Sequence, residues 1–406
     1  MTESSERYGF QPSEETAQLR LTVRRFIDQW VIPREEEIID GPDGARVLKE
    51  VQARAKQEGL WALGLPKEIG GAGLPFVDYV YINEVIGRSE AAMPALGTHQ
   101  TQDTLMLYHY GTEQQKRQWI PGLVDGSIWP SVAMTEPEVA GSDPTLIQTD
   151  ARIEDGLWVI NGHKWFATYA NQAAFTTVFC ITDPDAPRHR RASMILVPTD
   201  TPGYEVVRVV KTMGHQGGNH CELRLTNVRV PLDSLIGPRG QGFAVAQSRL
   251  GPGRIYHAMR WLGQAQRAFD LMCQRALTRQ AHGSSLAEKQ FIQGFIADSV
   301  GEIEACRLLT LQAAYELDKG HDARVAVSLV KYVGAQMLHH VVDRAIQVHG
   351  ALGLTEDTPL ERMYREARYA RIYDGPDEVH RMMVAREVLK RYQKGQGWDL
   401  GADQGN

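Results

Sequence analysis

Leu19, Val23, Phe26, Ile27 and Trp30 fall on one side of a helix drawn through "EETAQLRLTVRRFIDQW", and Ser13 before it is a residue type that caps helix starts. Pro33 then ends or disturbs that helix. Helical patterning continues to about Ser127, where "GTEQQKRQWI" opens another helix with Thr112 and Gln115 at capping-box spacing. From Trp129 to about Gly237 the pattern changes. "FTTVFCITD", "ASMILVPTD", "YEVVRVV" and "CELRLTNVRVP" are short runs rich in β-branched residues, and Asp155-Gly156 marks a hairpin turn inside "ARIEDGLWVING". This spacing predicts a compact barrel or sandwich and is too strand-dense for a nucleotide-binding βαβ fold. From Gly242 helix returns over 243–279, 286–318, 322–349 and 376–393, with a shorter piece at 358–372. Ser285 to Glu288 reads as a capping box opening the second of these. Four long helices with short connections predict an antiparallel bundle. The expected class is α+β: an N-terminal helical domain over 1–128, a central β domain over 129–238, a C-terminal helical bundle over 239–395 and a flexible tail over 396–406.

Composition narrows the function classes. The 406 residues suffice for a large core, and 44 Lys and Arg against 50 Asp and Glu give a net charge of -6. That balance provides no long-range attraction for nucleic acid or an anionic membrane. "MTESSERYGF" lacks a basic region followed by an apolar run, and no apolar run approaches the roughly 20 residues of a spanning helix. Cys180, Cys221, Cys273 and Cys306 form no CxxC pair, which points to a reducing compartment; the expected location is cytoplasmic.

Several motifs carry nothing. "GGAG" at Gly70 to Gly73 lacks the full spacing and the lysine of a phosphate loop and reads as a connecting loop. "GHQGGNHC" holds His215, His220 and Cys221 in a spacing that fits no standard zinc site, and Gly217-Gly218 marks a turn there. Adjacent His339 and His340 point about 100° apart on a helix and cannot chelate together. No metal is expected, and no GxSxG elbow is present.

"ARIYDGPDEVHR" is more informative. It places Asp374, Asp377 and Glu378 around one Gly-Pro turn, as a helix start, a metal site or a catalytic base would. Local grammar favours capping, with Gly375 as cap, Pro376 as first helical residue and the acids at a positive helix end. Val379, Met382, Met383, Val388 and Leu389 then recur at helical spacing. "AGSD", Ala140 to Asp143, is balanced between a polar turn and a small-residue loop presenting N–H groups and a hydroxyl to a pyrophosphate.

The three-part order, with "AMTEPEVAGSD", "NGHKWFAT", "LGPGR", "QVHGALGLTEDTPLERMYRE" and "YDGPDEVHR", resembles the acyl-CoA dehydrogenase family over nearly the whole chain. "LGPGR" and "DGPDEVHR" look most like the subgroup of higher-numbered animal acyl-CoA dehydrogenases and their bacterial relatives, some of which act on hydroxylated or phosphorylated acyl chains. The resemblance implies an FAD enzyme of fatty acid metabolism that places a double bond between Cα and Cβ of an acyl-CoA. Met134 and Thr135 match the segment whose backbone and hydroxyl meet the flavin ring, Phe166 and Thr168 match positions at its edge and N5, and Ser142 matches a serine beside the flavin diphosphate and the substrate's pantetheine arm. Arg279, Gln347 and the Gly350–Gly353 turn match the contribution of a neighbouring subunit to FAD, which implies a homodimer or homotetramer. Arg254 matches a bundle arginine near bound CoA.

Asp374 matches the catalytic carboxylate, between Tyr373 and Gly375 on the substrate side, while Asp377 and Glu378 stay first-turn helix residues. Some relatives carry the base one residue before the bundle arginine; here that residue is Gly253. A thioester Cα–H is weakly acidic, so such a base gains from apolar walls that raise its pKa, and the departing charge gains from hydrogen bonds to the thioester carbonyl. The resemblance supplies those donors as a flavin ribityl hydroxyl and the Asp374 N–H. Electrons would leave through an electron-transfer flavoprotein. Two other readings stay open: a flavin oxidase or monooxygenase of the same fold acting on a small carbon acid, and a non-catalytic acyl-CoA-binding protein. Tyr256 and His257 are equally candidates for pocket wall or packing.

Overall fold

A computed structural model describes residues 12–213 and 219–398. His215, the Gly217-Gly218 turn and the end of the tail lie outside the described residues. Internal contacts divide the chain into two compact units. One comprises Met1–Ile32, Pro75–Ala92 and Gly253–Asn406, and the other Pro33–Leu74 and Met93–Pro252.

The second unit contains the sheet. Its strands are β1 (Pro130–Ala133), β2 (Asp150–Glu154), β3 (Leu157–Thr168), β4 (Phe175–Ile181), β5 (Ala192–Pro198), β6 (Tyr204–Val209), β7 (His220–Pro231) and β8 (Leu235–Ile236). They run in the order β6-β7-β3-β2-β4-β5-β8, with β1 parallel to β4. Asp155 and Gly156 both take positive φ, 52° and 77°, which gives the expected hairpin turn between β2 and β3. Thr176 on β4 bonds the Tyr204 hydroxyl at the start of β6 at 2.8 Å although three strands separate them in the order, so the sheet is curled on itself. Trp158 and Ile160, Val178 and Cys180, and Ile195 and Val197 alternate into one core on a single face. Phe175, Phe179, Met194 and Leu196 face the other way and pack with Met106 and Leu107 of a helix at Thr101–Tyr110 and with Ile120 and Leu123 of one at Glu113–Asp125. Burial on both faces explains why β4 and β5 read as continuous apolar runs. The Thr112–Gln115 capping box is formed.

In the first unit, Ser13 caps α1 (Glu14–Phe26), accepting from Thr16 N. The helix then widens into a π turn at Ile27–Val31 and a 3-10 turn at Ile32–Arg34 that contains Pro33. We label the other principal helices of this unit α2 (Phe76–Ile86), α3 (Gly242–Thr278, mostly in this unit), α4 (Gln290–Asp318), α5 (Arg324–His349), α6 (Leu360–Ala370) and α7 (Asp377–Gln393). Their core draws on Ile255, Leu262, Leu311, Val341 and Leu360. α2 and α3 cross at backbone contact. A Cβ at Gly263 would stand 1.9 Å from Glu84 O, and one at Gly87 2.2 Å from Arg260 O.

Two local expectations shift. The Ser285–Glu288 capping box closes on a 3-10 turn, and α4 begins after it with Lys289 at its cap. Pro376, not Gly375, is the cap residue of α7, because Gly375 takes φ 99° and turns the chain before the helix starts. The apolar series after the turn lies on α7 as its spacing predicts, with Met382 and Leu389 44% and 61% exposed. α5 passes the length and hydropathy test for a spanning helix, yet 56% of that window is buried in the bundle.

Candidate active site

α6 ends at Ala370 and α7 starts at Asp377, so six residues must reverse the chain while presenting a carboxylate. Asp374 has φ 54° and Gly375 φ 99°. A left-handed non-glycine residue is strained, and such strain persists only where the surroundings over-determine it. Here they do. Arg254 Nε donates to Asp374 O at 3.0 Å, and His380 Nε2 lies 3.1 Å from the same oxygen. Lys331 Nζ donates to Ala370 O at 2.8 Å and Gly375 O at 2.9 Å. Arg371 and Gln336 donate to the carboxylate of Asp377, which is 2% exposed and closes the turn from behind.

The Asp374 side chain faces α3. His257 Nε2 is 3.1 Å from Asp374 Oδ2, and the two side chains are 21% and 19% exposed. Arg260 Nη2 is 2.7 Å from His257 Nδ1. The Tyr373 hydroxyl accepts from Trp261 Nε1 at 2.9 Å, and its ring stands edge-on to His257, centroids 4.9 Å apart. The walls therefore differ from the apolar lining expected of a base: Arg254, His257, Arg260, Lys331 and His380 surround this carboxylate. Burial, with Arg260 adding to it, pushes the His257 imidazolium down to about 4, and burial with Arg254 does the same for His380. Burial pulls the Lys331 ammonium down to about 8 against the opposing pull of Asp374 and Asp377. Tyr256 is 4% exposed and packs on Phe76 and Tyr79 within the core.

Sequence reasoning placed Asp374, Arg254, Tyr373 and Gly375 on one cluster and missed Arg260, Lys331 and His380. Arg254, His257 and Arg260 recur every third residue, the spacing of neighbours along one helix flank. Lys331 is a lone charge in the apolar "VSLVKYVGAQM". Both signals single out these residues but not the groups they reach.

The candidate flavin residues fall in both units. In the sheet unit, Lys164 and Glu136 are 0% and 2% exposed and paired at 2.9 Å; Lys164 also holds Met134 O, while Glu136 accepts from Gln148 N and Thr149 N. Burial opposes the Glu136 charge, but Lys164 and Thr149 outweigh it and hold the carboxyl below its usual range. Thr135 Oγ1 donates to Trp165 O at 2.8 Å. The carbonyl of Met134 and the hydroxyl hydrogen of Thr135 are thus engaged, leaving the Thr135 oxygen as an acceptor. Phe166 sits on an irregularity of the β3–β7 ladder at φ 55°, 42% exposed. Its ring packs on His220, centroids 5.7 Å apart, and the exposed remainder fits the edge of a flat ring system. Thr168 bonds His220 at 3.1 Å, and Ser142 is exposed on its loop. A Cβ at Gly141 would come 3.0 Å from Thr135 Cγ2, so that loop lies close over Thr135.

In the bundle unit Arg279, Gln347 and Gly350 are exposed and Gly353 is buried. Gly350 needs its hydrogen side chain, with φ 64°. Leu277 and Leu354, 68% and 69% exposed, flank these positions in sequence. Among the described residues no His, Cys, Asp or Glu group suits a metal.

Residues 13–127 match the acyl-CoA dehydrogenase N-terminal domain, 131–228 its middle domain and 240–389 its C-terminal domain. The chain is 44% identical over 353 residues to the probable acyl-CoA dehydrogenase FadE2 of Mycobacterium tuberculosis, covering 85% of this chain and 86% of that protein. It is 42% identical over 385 residues to mouse acyl-CoA dehydrogenase family member 10, covering 90% of this chain but 36% of that protein. It spans about half, 51%, of mouse family member 11. Among solved structures, a putative acyl-CoA dehydrogenase from Mycobacterium abscessus matches with a TM-score of 0.89 at 40% identity, covering 94% of this chain and 100% of that one. An acyl-CoA dehydrogenase from Bacillus anthracis complexed with FAD matches with a TM-score of 0.82 at 27% identity, covering 95% and 68%. Fold, domain matches and a set of residues that fits a flavin agree: the chain belongs to the acyl-CoA dehydrogenase family, whose members are flavin-dependent oxidoreductases that bind FAD.

Proposed function

We propose that this chain introduces a double bond between Cα and Cβ of an acyl-CoA thioester, with Asp374 as the base. The observation that carries this reading is the carboxylate itself. It is partly exposed, it sits on a strained turn, and that turn is fastened by Arg254, Lys331 and His380. A base that must meet a carbon-bound proton needs a fixed approach more than an unusual affinity for protons. In the reaction the Cα–H bond breaks and its proton passes to an Asp374 oxygen while Cβ loses a hydride equivalent. The bound flavin supplies the hydride acceptor. Met134, Thr135, Ser142, Phe166 and Thr168 would hold it from the sheet unit, and Arg279, Gln347, Gly350 and Gly353 from the bundle of a neighbouring copy.

The exposed Leu277 and Leu354 beside Arg279 and Gly353 support a homo-oligomer, because apolar side chains of that size gain by being covered. An electron-transfer flavoprotein is the proposed acceptor. Anaerobic addition of a panel of acyl-CoAs to the purified flavoprotein tests the reading. One acyl class should bleach the flavin, and Asp374→Asn should bind that acyl-CoA yet leave the flavin oxidised. A wild-type spectrum that no thioester changes, or an Asn variant reduced at the normal rate, would remove Asp374 from the role.

A further inference from the structure

Two of the cations around Asp374 hold its turn: Lys331 donates to Ala370 O and Gly375 O, and Arg254 to Asp374 O. Arg260 is only partly engaged. One of the five N–H bonds that a guanidinium carries goes to His257 Nδ1, at 2.7 Å. Among the described residues no carboxylate pairs with it. Asp374, whose charge partly offsets the burial of Arg260, stands across the His257 ring, 3.1 Å from Nε2. Burial prevails and pulls the guanidinium below its ordinary value. Buried cations elsewhere have counter-ions: Arg307 lies 3.0 Å from Glu84, and Lys164 2.9 Å from Glu136. Tyr373 adds a second donor, its ring 4.9 Å from that of His257. Its hydroxyl oxygen accepts from Trp261 Nε1 at 2.9 Å, and burial raises the phenol, so the hydroxyl hydrogen stays in place to donate. Arg260, His257, Tyr373 and Asp374 each keep part of their surface open, so these donors line an opening rather than a sealed core. The Arg260 backbone is fixed against Gly87, where a Cβ would stand 2.2 Å from its carbonyl oxygen.

We propose that Arg260 and Tyr373 receive a carboxylate carried on the acyl chain, so that the substrate is the CoA monothioester of a short dicarboxylic acid. This names the substrate of the dehydrogenation above and rests on that reading. Donors without an acceptor call for a group that only accepts. One guanidinium supplies one positive charge, because burial and Arg260 itself push the His257 imidazolium down to about 4 and leave that ring neutral. A carboxylate balances this charge and matches the planar guanidinium fork. A phosphate monoester, with about −1.5 to −2 charges at neutral pH, would leave negative charge unbalanced beside Asp374. The chain is short because only the His257 ring separates Arg260 from the base. A plain alkyl chain would strip water from the guanidinium and leave it unpaired, which selects against that chain.

The test compares anaerobic flavin reduction of the holoenzyme by glutaryl- and adipyl-CoA with reduction by pentanoyl- and hexanoyl-CoA. At equal chain length the carboxylated thioester should show a kcat/KM at least about tenfold higher in one of the two pairs. Arg260→Met should lower that ratio on the order of a hundredfold, because a desolvated charge pair is lost. Arg260→Lys keeps the charge without the fork and should lower it less. Tyr373→Phe should lower it about tenfold. Plain thioesters that match or outrun both carboxylated partners would overturn the proposal, as would an unchanged ratio in Arg260→Met. A hexanoyl-CoA phosphorylated on its chain that outruns adipyl-CoA would overturn the choice of a carboxylate. Should Arg260→Met fail to fold, the wild-type ratios and Arg260→Lys decide. Asp374→Asn separates this inference from the base reading. With turnover blocked, the spectral shift of its flavin reports affinity, and adipyl-CoA should bind at least about tenfold tighter than hexanoyl-CoA. Equal affinities would remove the carboxylate site. Normal flavin reduction by Asp374→Asn would instead remove the base, and the kcat/KM ratios would still decide the site.

Discussion

Lys331 donates to the carbonyl of Gly375 at 2.9 Å and to that of Ala370 at 2.8 Å, so one buried ammonium spans the turn that presents Asp374. The same ammonium lies 5.6 and 5.7 Å from the ring centroids of Trp261 and Tyr373. Lys331→Met keeps the length of the side chain and leaves two inward carbonyls without their donor. Each unpaired group costs about 1–3 kcal/mol, so urea unfolding should show a loss on the order of 2–5 kcal/mol. Flavin reduction should slow as well, because the turn loses one of its fasteners. A variant as stable and as fast as wild type would show that the turn is held without Lys331.

Gly263 and Gly294 are both helical, and they should respond to alanine in opposite ways. A Cβ at Gly263 meets Glu84 O at 1.9 Å, whereas nothing lies within 4 Å of one at Gly294. Gly263→Ala must push α2 away from α3, against the contact that anchors Arg260, and overpacking of this kind costs about 1–3 kcal/mol or more. Gly294→Ala adds a better helix former on an open surface and should stabilise by roughly 0.5–1 kcal/mol. Thermal melts of the two variants decide it. A tolerated Gly263→Ala would mean that α2 and α3 can separate at little cost.

The fold was legible because each segment announces its own period. Trp158 and Ile160 alternate, Leu19, Val23 and Phe26 recur on a helix face, and Thr112 with Gln115 marks a start. Boundaries slipped where local grammar allowed two answers. Ser285 and Glu288 cap a turn as well as a helix, and Pro376 can precede a helix as readily as begin one. Asp374 was legible as a candidate base only through a family likeness, since three acids near a Gly-Pro turn are chemically ambiguous. What surrounds it was not. Lys331 reaches the turn from a helix distant in sequence, Arg260 bonds His257 beside it, and no local pattern says which way a lone buried charge points. His257 was named as wall or packing, and the distances to Arg260 and Asp374 are what separate the two.

Arg307 and Glu84 form a second buried polar centre in the bundle unit, joined by two contacts at 3.0 and 3.1 Å, with Arg20 at 3.3 Å. Burial opposes the Glu84 charge, but Arg307 and Arg20 outweigh it and hold the carboxyl below its usual range. Arg307→Met leaves that carboxylate with Arg20 alone, so the loss should approach the roughly 3–5 kcal/mol of a buried pair deprived of one partner without exceeding it. Glu84→Gln together with Arg307→Met removes the charge from both sides and should recover much of the loss. Equal destabilisation of the single and double variants would mean that packing, rather than the stranded charge, sets the cost.

Histidines kept neutral by burial give the protein an acid limb with a definite sign. Burial pushes His99 down to about 3, and His257 and His380 to about 4, from an ordinary value of 6.5. As pH falls below 6.5 the unfolded chain takes up these protons while the folded chain resists them until about 4. The unfolded state then binds more protons, so stability falls with falling pH through this window and is unaffected by these groups above it. Glu84 and Glu136, with lowered carboxyls, add their own loss only at more acidic pH, as they titrate below the ordinary 4.5. Urea unfolding between pH 7 and 4.5 should therefore lose on the order of 2 kcal/mol per histidine. His380→Gln can keep an N–H on Asp374 O while removing one titrating group, so its stability should fall less steeply over the same interval. A wild-type stability that stays level from pH 6.5 to 5, or a Gln variant with an unchanged slope, would show that these rings are reached by water and protonate in the folded state.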